Sequence, residues 1–115
     1  MIACDFTKMT DSSSYDALLS QLSGLDVSIL VNNVGMNNVE AFEVVNEKRL
    51  HDEIVVNCLP ITILTRRLLP AMLKREKKSA VINLSSLMGE IPFPNSCTYN
   101  PTKAFDDMLS RGISR

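Results

Sequence analysis

Tyr99 and Lys103 are the two residues whose types and spacing most directly suggest chemistry. They lie four residues apart in the segment Tyr99-Asn100-Pro101-Thr102-Lys103, so a helix would put both on one face. A nearby ammonium stabilises tyrosinate and lowers the pKa of a phenol from about 10 toward neutrality. Such a tyrosine can give a proton to a carbonyl oxygen as a hydride arrives, or take it back in the reverse direction. Similar pairs are common on exposed helix faces, so the motif alone leaves both interpretations open.

Two more polar residues lie where they could assist this pair. Ser86 precedes Tyr99 by thirteen residues, at a predicted strand end, where its hydroxyl could hold a substrate oxygen against the phenol. Asn57 precedes Pro60 by three residues, where a disturbed helix could free backbone groups to anchor a water. Taken singly, the two residues are better explained as a serine in a surface turn and an asparagine on a helix surface.

The order of elements predicts an α/β fold built on a parallel sheet. Apolar, β-branched runs predict strands at 2–6, 27–31 and 80–84, and the second has the composition of a strand buried on both faces. The spacing of apolar residues predicts helices at about 15–22, at about 46–74, and from about 99 to the end of the chain. Pro60 and Pro70 fall inside the long helix and are expected to bend it.

Polar residues follow all three predicted strands at the point where each ends. They are Asp5, the loop Asn32-Asn33-Val34-Gly35, and the pair Ser85-Ser86. Open α/β sheets bind their ligands at the carboxyl ends of the strands. Three such ends, followed by Tyr99 and Lys103, favour a binding site over simple packing.

Composition excludes several classes of protein. The 115 residues carry a net charge of −1, which gives no basic surface for nucleic acid. No apolar run approaches the ~18 residues that span a bilayer, so no membrane span is expected. Three scattered cysteines predict neither disulfides nor a zinc site, and we interpret them as reduced, intracellular residues. His51, Asp52 and Glu53 are consecutive and point in different directions, so no metal site is expected.

Together these residues resemble the short-chain dehydrogenase/reductase family. The resemblance rests on Asp5, the Asn-Asn-x-Gly loop at 32–35, Asn57 in a long helix, Ser86 and Tyr99-x-x-x-Lys103, in the family's order and spacing. More narrowly, the stretch from Ile29 to Met36, with Val34 where most of the family has alanine, resembles the very-long-chain 3-oxoacyl-CoA reductase and 17-beta-hydroxysteroid dehydrogenase branch.

The resemblance implies a role for each of these residues. Asp5 would bind the adenine edge of NADP or NAD, and Asn32, Asn33, Val34 and Gly35 would line the nucleotide. Ser86 would position the substrate carbonyl and Tyr99 would be the acid/base. Lys103 would lower the pKa of the tyrosine and hold the nicotinamide ribose, so both also contact the cofactor. Asn57 would complete a proton relay to solvent.

The resemblance also implies that residues 1–115 are the central part of one Rossmann-like domain, a partial, doubly wound parallel sheet of about three strands truncated at both ends. The family's glycine-rich turn, which cradles the pyrophosphate, is not in the sequence. In the strand order 3-2-1-4-5-6, only 27–31 and 80–84 would be neighbours. Residues 2–6 would then have no native partner.

Two functions remain open at this stage. The first is NAD(P)H-dependent reduction of a ketone, either a 3-oxoacyl-CoA or a steroid, in fatty acid elongation at the endoplasmic reticulum by resemblance, or otherwise in the cytoplasm. The second is a catalytically inactive fragment that keeps only the helices used to associate with a partner. In the family the helices that correspond to 46–74 and 99–115 commonly form a homodimer interface.

Overall fold

The computed structural model describes residues 1–114, which form a two-stranded parallel sheet with three α-helices. The α/β class expected from the sequence is therefore confirmed. The strands are β1 (Ile29–Asn32) and β2 (Ala80–Asn83). The helices are α1 (Asp16–Gln21), α2 (Glu47–Leu73) and α3 (Tyr99–Ile113), and short 3-10 helices lie at Phe6–Lys8, Ser13–Tyr15 and Leu87–Gly89. The expected last residue of the third helix, Arg115, lies outside the described residues.

The strand expected at 2–6 is not formed, and that prediction was wrong. Residues 2–5 have no regular structure, and Asp5 instead caps a 3-10 helix by accepting a hydrogen bond from the Thr7 amide. A strand needs a neighbour to satisfy its backbone groups. The described residues offer this segment no adjacent strand, as the family's strand order implies.

The two strands pair in register from Ile29 opposite Ala80 to Asn32 opposite Asn83. Alternate residues on one face, including Leu30 and Val81, are turned toward the helices, whereas Ile29, Val31 and Ile82 are 58%, 52% and 47% exposed. The prediction that residues 27–31 are buried on both faces was therefore wrong. The reason is that, within residues 1–114, helices cover only one face of the sheet.

Helix α2 crosses the covered face of the sheet and supplies most of the core. Asn46 begins it by accepting a hydrogen bond from the Lys48 amide at 2.9 Å. Its buried apolar residues Val55, Val56, Ile61 and Met72 form the core together with Tyr15. The helix is continuous through Pro60 and Pro70, and the bends expected there stay a prediction.

The sequence expectation that no stretch is apolar enough to span a membrane needs a correction at α2. By length and composition alone, this helix could cross a membrane. Its most apolar stretch of 18 residues has a mean hydropathy of 1.4, and 33% of that stretch is buried inside the structure. The expectation failed because isolated polar residues interrupt the apolar run but leave its mean hydropathy within the range of a membrane-spanning helix. Here those residues, Asn57 and Thr65, are buried and bonded to other elements, as in the core helix of a folded domain.

Helix α3 packs against α2 and against the 3-10 helix Leu87–Gly89. A Cβ atom on Gly89 would lie 2.8 Å from the Lys103 carbonyl carbon and 2.9 Å from the Ala104 nitrogen. Glycine is therefore required at this position for the loop after β2 to approach the helix. The approach brings that loop beside Lys103.

Candidate functional site

A cavity of about 270 Å³ opens at the carboxyl ends of β1 and β2. The loop after β1, the end of β2 and the start of α3 surround it. Its lining residues are Asn33, Gly35, Met36, Asn37, Leu84, Ser85, Tyr99 and Lys103. This is the edge of the sheet at which the sequence predicted a site.

Tyr99 and Lys103 reach this cavity from the first turns of α3. The Lys103 ammonium lies 5.8 Å from the centroid of the Tyr99 ring, within the range of a cation–π contact. The helical spacing expected for the pair is thus present.

Lys103 is buried and forms an ion pair that the sequence analysis did not anticipate. Its Nζ donates to the Leu84 carbonyl at 2.9 Å and to Asp106 Oδ2 at 2.8 Å. Lys103 and Asp106 are 5% and 2% exposed. Burial raises the pKa of Asp106 above its usual value, and the Lys103 charge opposes this shift without cancelling it.

Asn57 fastens the loop after β1 to both long helices. Its Oδ1 accepts from the Met36 amide at 2.8 Å, and its Nδ2 donates to the Met36 carbonyl at 3.0 Å and to Thr102 Oγ1 at 2.9 Å. Asn57 is 2% exposed. A Cβ on Gly35 would lie 3.5 Å from Asn57 Oδ1 and 3.6 Å from Lys103 Nζ. Asn57 and Lys103 therefore meet behind the same loop.

Asn32 lies in the sheet and not in the cavity. Its Nδ2 donates to Thr65 Oγ1 on α2 and to Asn83 Oδ1 on β2, at 3.0 and 2.7 Å. Asn83 Nδ2 in turn donates to Ser110 Oγ on α3 at 2.7 Å. This chain of side-chain bonds joins both strands to both helices and fixes the position from which the loop 33–37 departs.

The remaining loop residues differ in where they lie. Asn33 and Gly35 line the cavity, whereas Val34 does not and is 39% exposed. Gly35 has no side chain, so the space in front of the Lys103 ammonium, where a Cβ would lie 3.6 Å from Nζ, is left open for a ligand.

The two serines after β2 have different positions. Ser85 lines the cavity and its hydroxyl donates to the Lys103 carbonyl at 2.6 Å. Ser86 is half-buried and caps the 3-10 helix Leu87–Gly89, with its hydroxyl accepting from the Met88 amide at 3.2 Å. Ser86 is thus one residue beyond the cavity lining, in contact with the element that packs on Lys103.

Asp5 lies apart from these residues. It belongs to a second cavity, of about 330 Å³, between the N-terminal segment and α1, and no residue that lines this second cavity lines the first. Hydrogen bonds from the Thr7 hydroxyl and amide, at 2.7 and 3.1 Å, lower the pKa of Asp5. The structure therefore brings Asn33, Gly35, Asn57, Tyr99 and Lys103 together and leaves Asp5 outside the group.

Sequence reasoning missed two buried carboxylates near the site. Asp106 follows Lys103 by three residues on α3, a helical spacing that would have been a usable signal. Glu53 is 1% exposed and accepts bonds from the Asn38 amide and side chain at 3.4 and 3.2 Å. Burial raises the pKa of Glu53. No local pattern distinguishes Glu53 from the exposed carboxylates around it.

The model of the family described as short chain dehydrogenase matches residues 1–115, the whole chain. The chain belongs to this family. Its curated relatives include very-long-chain 3-oxoacyl-CoA reductases: that of Bos taurus is 40% identical over 114 residues, and that of Laccaria bicolor 37% over 111 residues. The resemblance to the 3-oxoacyl-CoA reductase branch is thus confirmed.

Solved structures of the same family have the same fold. A short-chain dehydrogenase from Streptomyces avermitilis is 34% identical, with a TM-score of 0.83 over 97% of this chain. The Escherichia coli serine dehydrogenase is 26% identical, with a TM-score of 0.83 over 97% of this chain. The partial Rossmann-type architecture expected from the sequence is confirmed by these matches, with two strands in place of about three.

The chain spans about a third of the length of the curated relatives it matches: 35% of the Bos taurus protein and 32% of the Laccaria bicolor protein. It spans 41% and 52% of the two solved chains.

Proposed function

We propose that this chain carries the catalytic side chains of an NAD(P)H-dependent ketoreductase, as the central part of one Rossmann-like domain. One observation supports this above all: Tyr99, Lys103 and the loop fastened by Asn57 meet at one cavity, at the carboxyl ends of two parallel strands. That arrangement combines a proton donor, a cation and a polar cradle. Each of these groups assists the reduction of a carbonyl group: the donor protonates the oxygen, the cation stabilises the phenolate that remains, and the polar groups orient the ligand.

In the proposed reaction Tyr99 gives its hydroxyl proton to the substrate oxygen. The Lys103 ammonium, beside the ring, stabilises the negative charge that this transfer leaves on the phenol oxygen. Asn57 holds the loop 33–37 beside Lys103 through its hydrogen bonds to Met36. We also propose Asn57 as a member of a proton relay. Ser86, one residue beyond the cavity lining, would contact the substrate carbonyl only after a local adjustment, whereas Ser85 already faces the cavity.

The lining residues fit the ribose end of a nicotinamide cofactor. The Asn33 side chain, the Ser85 hydroxyl and the Lys103 ammonium offer hydrogen bonds, and Gly35 leaves the cavity open above them. When bound, the nicotinamide supplies the hydride. A volume of about 270 Å³ is below the usual range for whole-ligand pockets, so these residues would hold only part of a dinucleotide. Asp5, in its separate cavity, is the candidate contact for the adenine end.

The relatives suggest the substrate and the cofactor. The very-long-chain 3-oxoacyl-CoA reductases, at 33–40% identity, favour a 3-oxoacyl-CoA over a steroid ketone. One solved relative, 26% identical, is serine dehydrogenase complexed with NADP+, and on that observation we favour NADP over NAD. A role in fatty acid elongation at the endoplasmic reticulum and a homodimer formed through α2 and α3 belong to the same proposal.

A segment exchange tests the proposal. The matching segment of the Bos taurus relative is replaced by residues 1–115 of this chain, and oxidation of NADPH is followed with a 3-oxoacyl-CoA. We expect turnover within about a hundredfold of the parent enzyme, because the site residues are supplied by the exchanged segment. Parallel assays with NADH and with a steroid ketone show whether the exchanged segment alters the cofactor and substrate preference of the parent enzyme.

A folded chimera without activity would contradict the proposal. Retained folding is checked by circular dichroism and by NADPH binding, so that an inactive site is distinguished from a misfolded protein. Binding without turnover would favour the alternative of an inactive segment that only associates with a partner.

A further inference from the structure

The Lys103 ammonium uses two of its three N–H donors inside the protein. One bonds to the Leu84 carbonyl at 2.9 Å and one to Asp106 Oδ2 at 2.8 Å. The side chains of Lys103 and Asp106 are only 6% and 3% exposed. One donor therefore remains for the cavity that Lys103 lines, and the other two fix where the nitrogen lies.

Asp106 is the group that stabilises the buried charge of the Lys103 ammonium. Removing an ammonium from water is costly unless an opposite charge replaces the lost hydration. The Leu84 carbonyl supplies only a partial charge, whereas Asp106 supplies a full one from three residues along the same helix face.

No other charged side chain in the described part of the chain replaces Asp106 as the partner of Lys103. Cys58, on α2, is the titratable side chain facing it from that helix, and burial, with a smaller contribution from the Asp106 charge, raises its pKa to about 11. The thiol is therefore neutral near pH 7. The loop after β1 contributes Gly35 and the end of β2 contributes a carbonyl, while Tyr99 contributes its ring face.

The second oxygen of Asp106 has no side-chain or backbone partner among the described residues. The one hydrogen bond that the Asp106 carboxylate accepts therefore comes from Lys103.

We propose that Asp106 is a positioning residue, which keeps the Lys103 ammonium charged and directed at the cavity beside Tyr99. This inference rests on the proposed function, because that function gives Lys103 its role beside Tyr99. The interaction between Asp106 and Lys103 can nevertheless be measured without any cofactor or substrate.

The test compares the reactivity of single lysines in the 115-residue chain. Dilute protein is acetylated at a series of pH values from about pH 6 to pH 11, and mass spectrometry gives the rate constant of modification at Lys103 and at exposed Lys77. In the unchanged chain we expect Lys103 to react about tenfold more slowly than Lys77. In Asp106→Asn, which keeps the shape and removes the charge, the midpoint pH, at which the rate constant reaches half of its high-pH plateau, falls by about one unit or more at Lys103 and is unchanged at Lys77.

Two variants separate positioning from general loosening. Asp107→Asn removes the adjacent, more exposed carboxylate, which pairs with Arg111, and leaves Lys103 unaffected. Loosening of the fold raises the rate constant by the same factor at every pH and leaves the midpoint pH of the rate constant unchanged, and that result for Asp106→Asn would overturn the proposal. If Asp106→Asn unfolds, so that Lys103 reacts like Lys77, Asp106→Glu decides: slow labelling with the original midpoint supports the proposal, and labelling like Lys77 contradicts it.

An unchanged chain in which Lys103 already reacts like Lys77 would also overturn the proposal, because the pair would then be absent in solution. The segment exchange described above can fail without affecting these results. The two proposals are therefore tested separately.

Discussion

At the scale of single residues, the site is organised by polar side chains that are almost fully buried. Asn57, Lys103 and Asp106 are each 5% exposed or less, and Glu53 is 1% exposed. Each one has lost its hydration and has partners within the protein instead. Removing a partner or a charge here should thus have larger effects than the same change on the surface.

Asn57 provides the clearest test at this scale. Replacing Asn57 with Ala removes three hydrogen bonds and leaves the Met36 amide and carbonyl without these partners, so we expect a loss of about 2 kcal/mol or more in the free energy of unfolding. Urea unfolding measures it, with the exposed Asn37→Ala as the matched control, expected within about 0.5 kcal/mol of the parent. Equal effects of the two changes would mean that Asn57 does not fasten the loop.

Much of this arrangement could be predicted from the sequence, because it depends on local spacing. A separation of four residues puts Tyr99 and Lys103 on one face of any helix, and polar residues after two parallel strands meet at one edge. The bond from Lys103 to the Leu84 carbonyl and the exclusion of Ser86 from the cavity could not be predicted. They depend on how closely the segment at Leu87–Gly89 approaches α3, which is set by tertiary packing.

Glu53 predicts a specific pH dependence. Burial raises its folded pKa above the ordinary value of 4.5, so its contribution to stability is complete below that pH and is lost as the pH rises through the folded pKa. Glu53→Gln removes this pH-dependent loss, because glutamine does not ionise. The free energy of unfolding of the variant, relative to that of the parent, should therefore be higher at about pH 8 than at about pH 4. Urea unfolding at the two pH values measures the difference. The exposed Glu43→Gln is the control, and an identical response of both variants would contradict the prediction.

At the scale of elements, the site depends on how α3 is held against its neighbours. The loop after β2 reaches α3 at Gly89, and α2 reaches it through Asn57 and Thr102. The strand predicted at 2–6 shows what happens when an element lacks such a neighbour. Its composition favours a strand, but without an adjacent strand residues 2–5 have no regular structure and Asp5 caps the 3-10 helix Phe6–Lys8, since the type of element depends on its partners as well as on local preference.

Gly89 tests this contact directly. In Gly89→Ala the new methyl group would lie under 3.0 Å from backbone atoms of Lys103 and Ala104, so the loop must move away and we expect a loss of about 1–3 kcal/mol in stability. Gly112→Ala, where a Cβ meets nothing within 4 Å, should be neutral or stabilising. Thermal unfolding compares the two. A Gly89→Ala variant as stable as Gly112→Ala would show that the loop does not pack on α3 as described.

At the scale of the whole molecule, the described chain has a covered and an uncovered side. Helices α2 and α3 lie against one face of the sheet, and the apolar residues Ile29, Val31 and Ile82 are exposed on the other. Each strand has one neighbour, so the outer edges carry unpaired backbone groups. We expect a marginally stable chain that associates at high concentration.

Amide hydrogen exchange on the dilute chain shows how far its order extends. The amides of Ala80 and Leu84, which donate to the Ser28 and Asn32 carbonyls, should be protected together with those of α2. Residues 2–5, which have no strand partner, should exchange at rates typical of an unfolded chain. Strong, cooperative protection of 2–5 with both strands would contradict the described topology.

The most direct test of whether the segment is catalytic is the turnover of the exchanged enzyme with Tyr99 replaced by Phe. The change removes only the hydroxyl, so NADPH affinity should stay within about threefold while turnover falls by about a hundredfold or more, as expected for loss of a general acid. Tyr15→Phe, which removes a buried hydroxyl outside the cavity, serves as the control and should retain turnover. Survival of turnover within about tenfold in the Tyr99→Phe enzyme would contradict a ketoreductase site built on Tyr99.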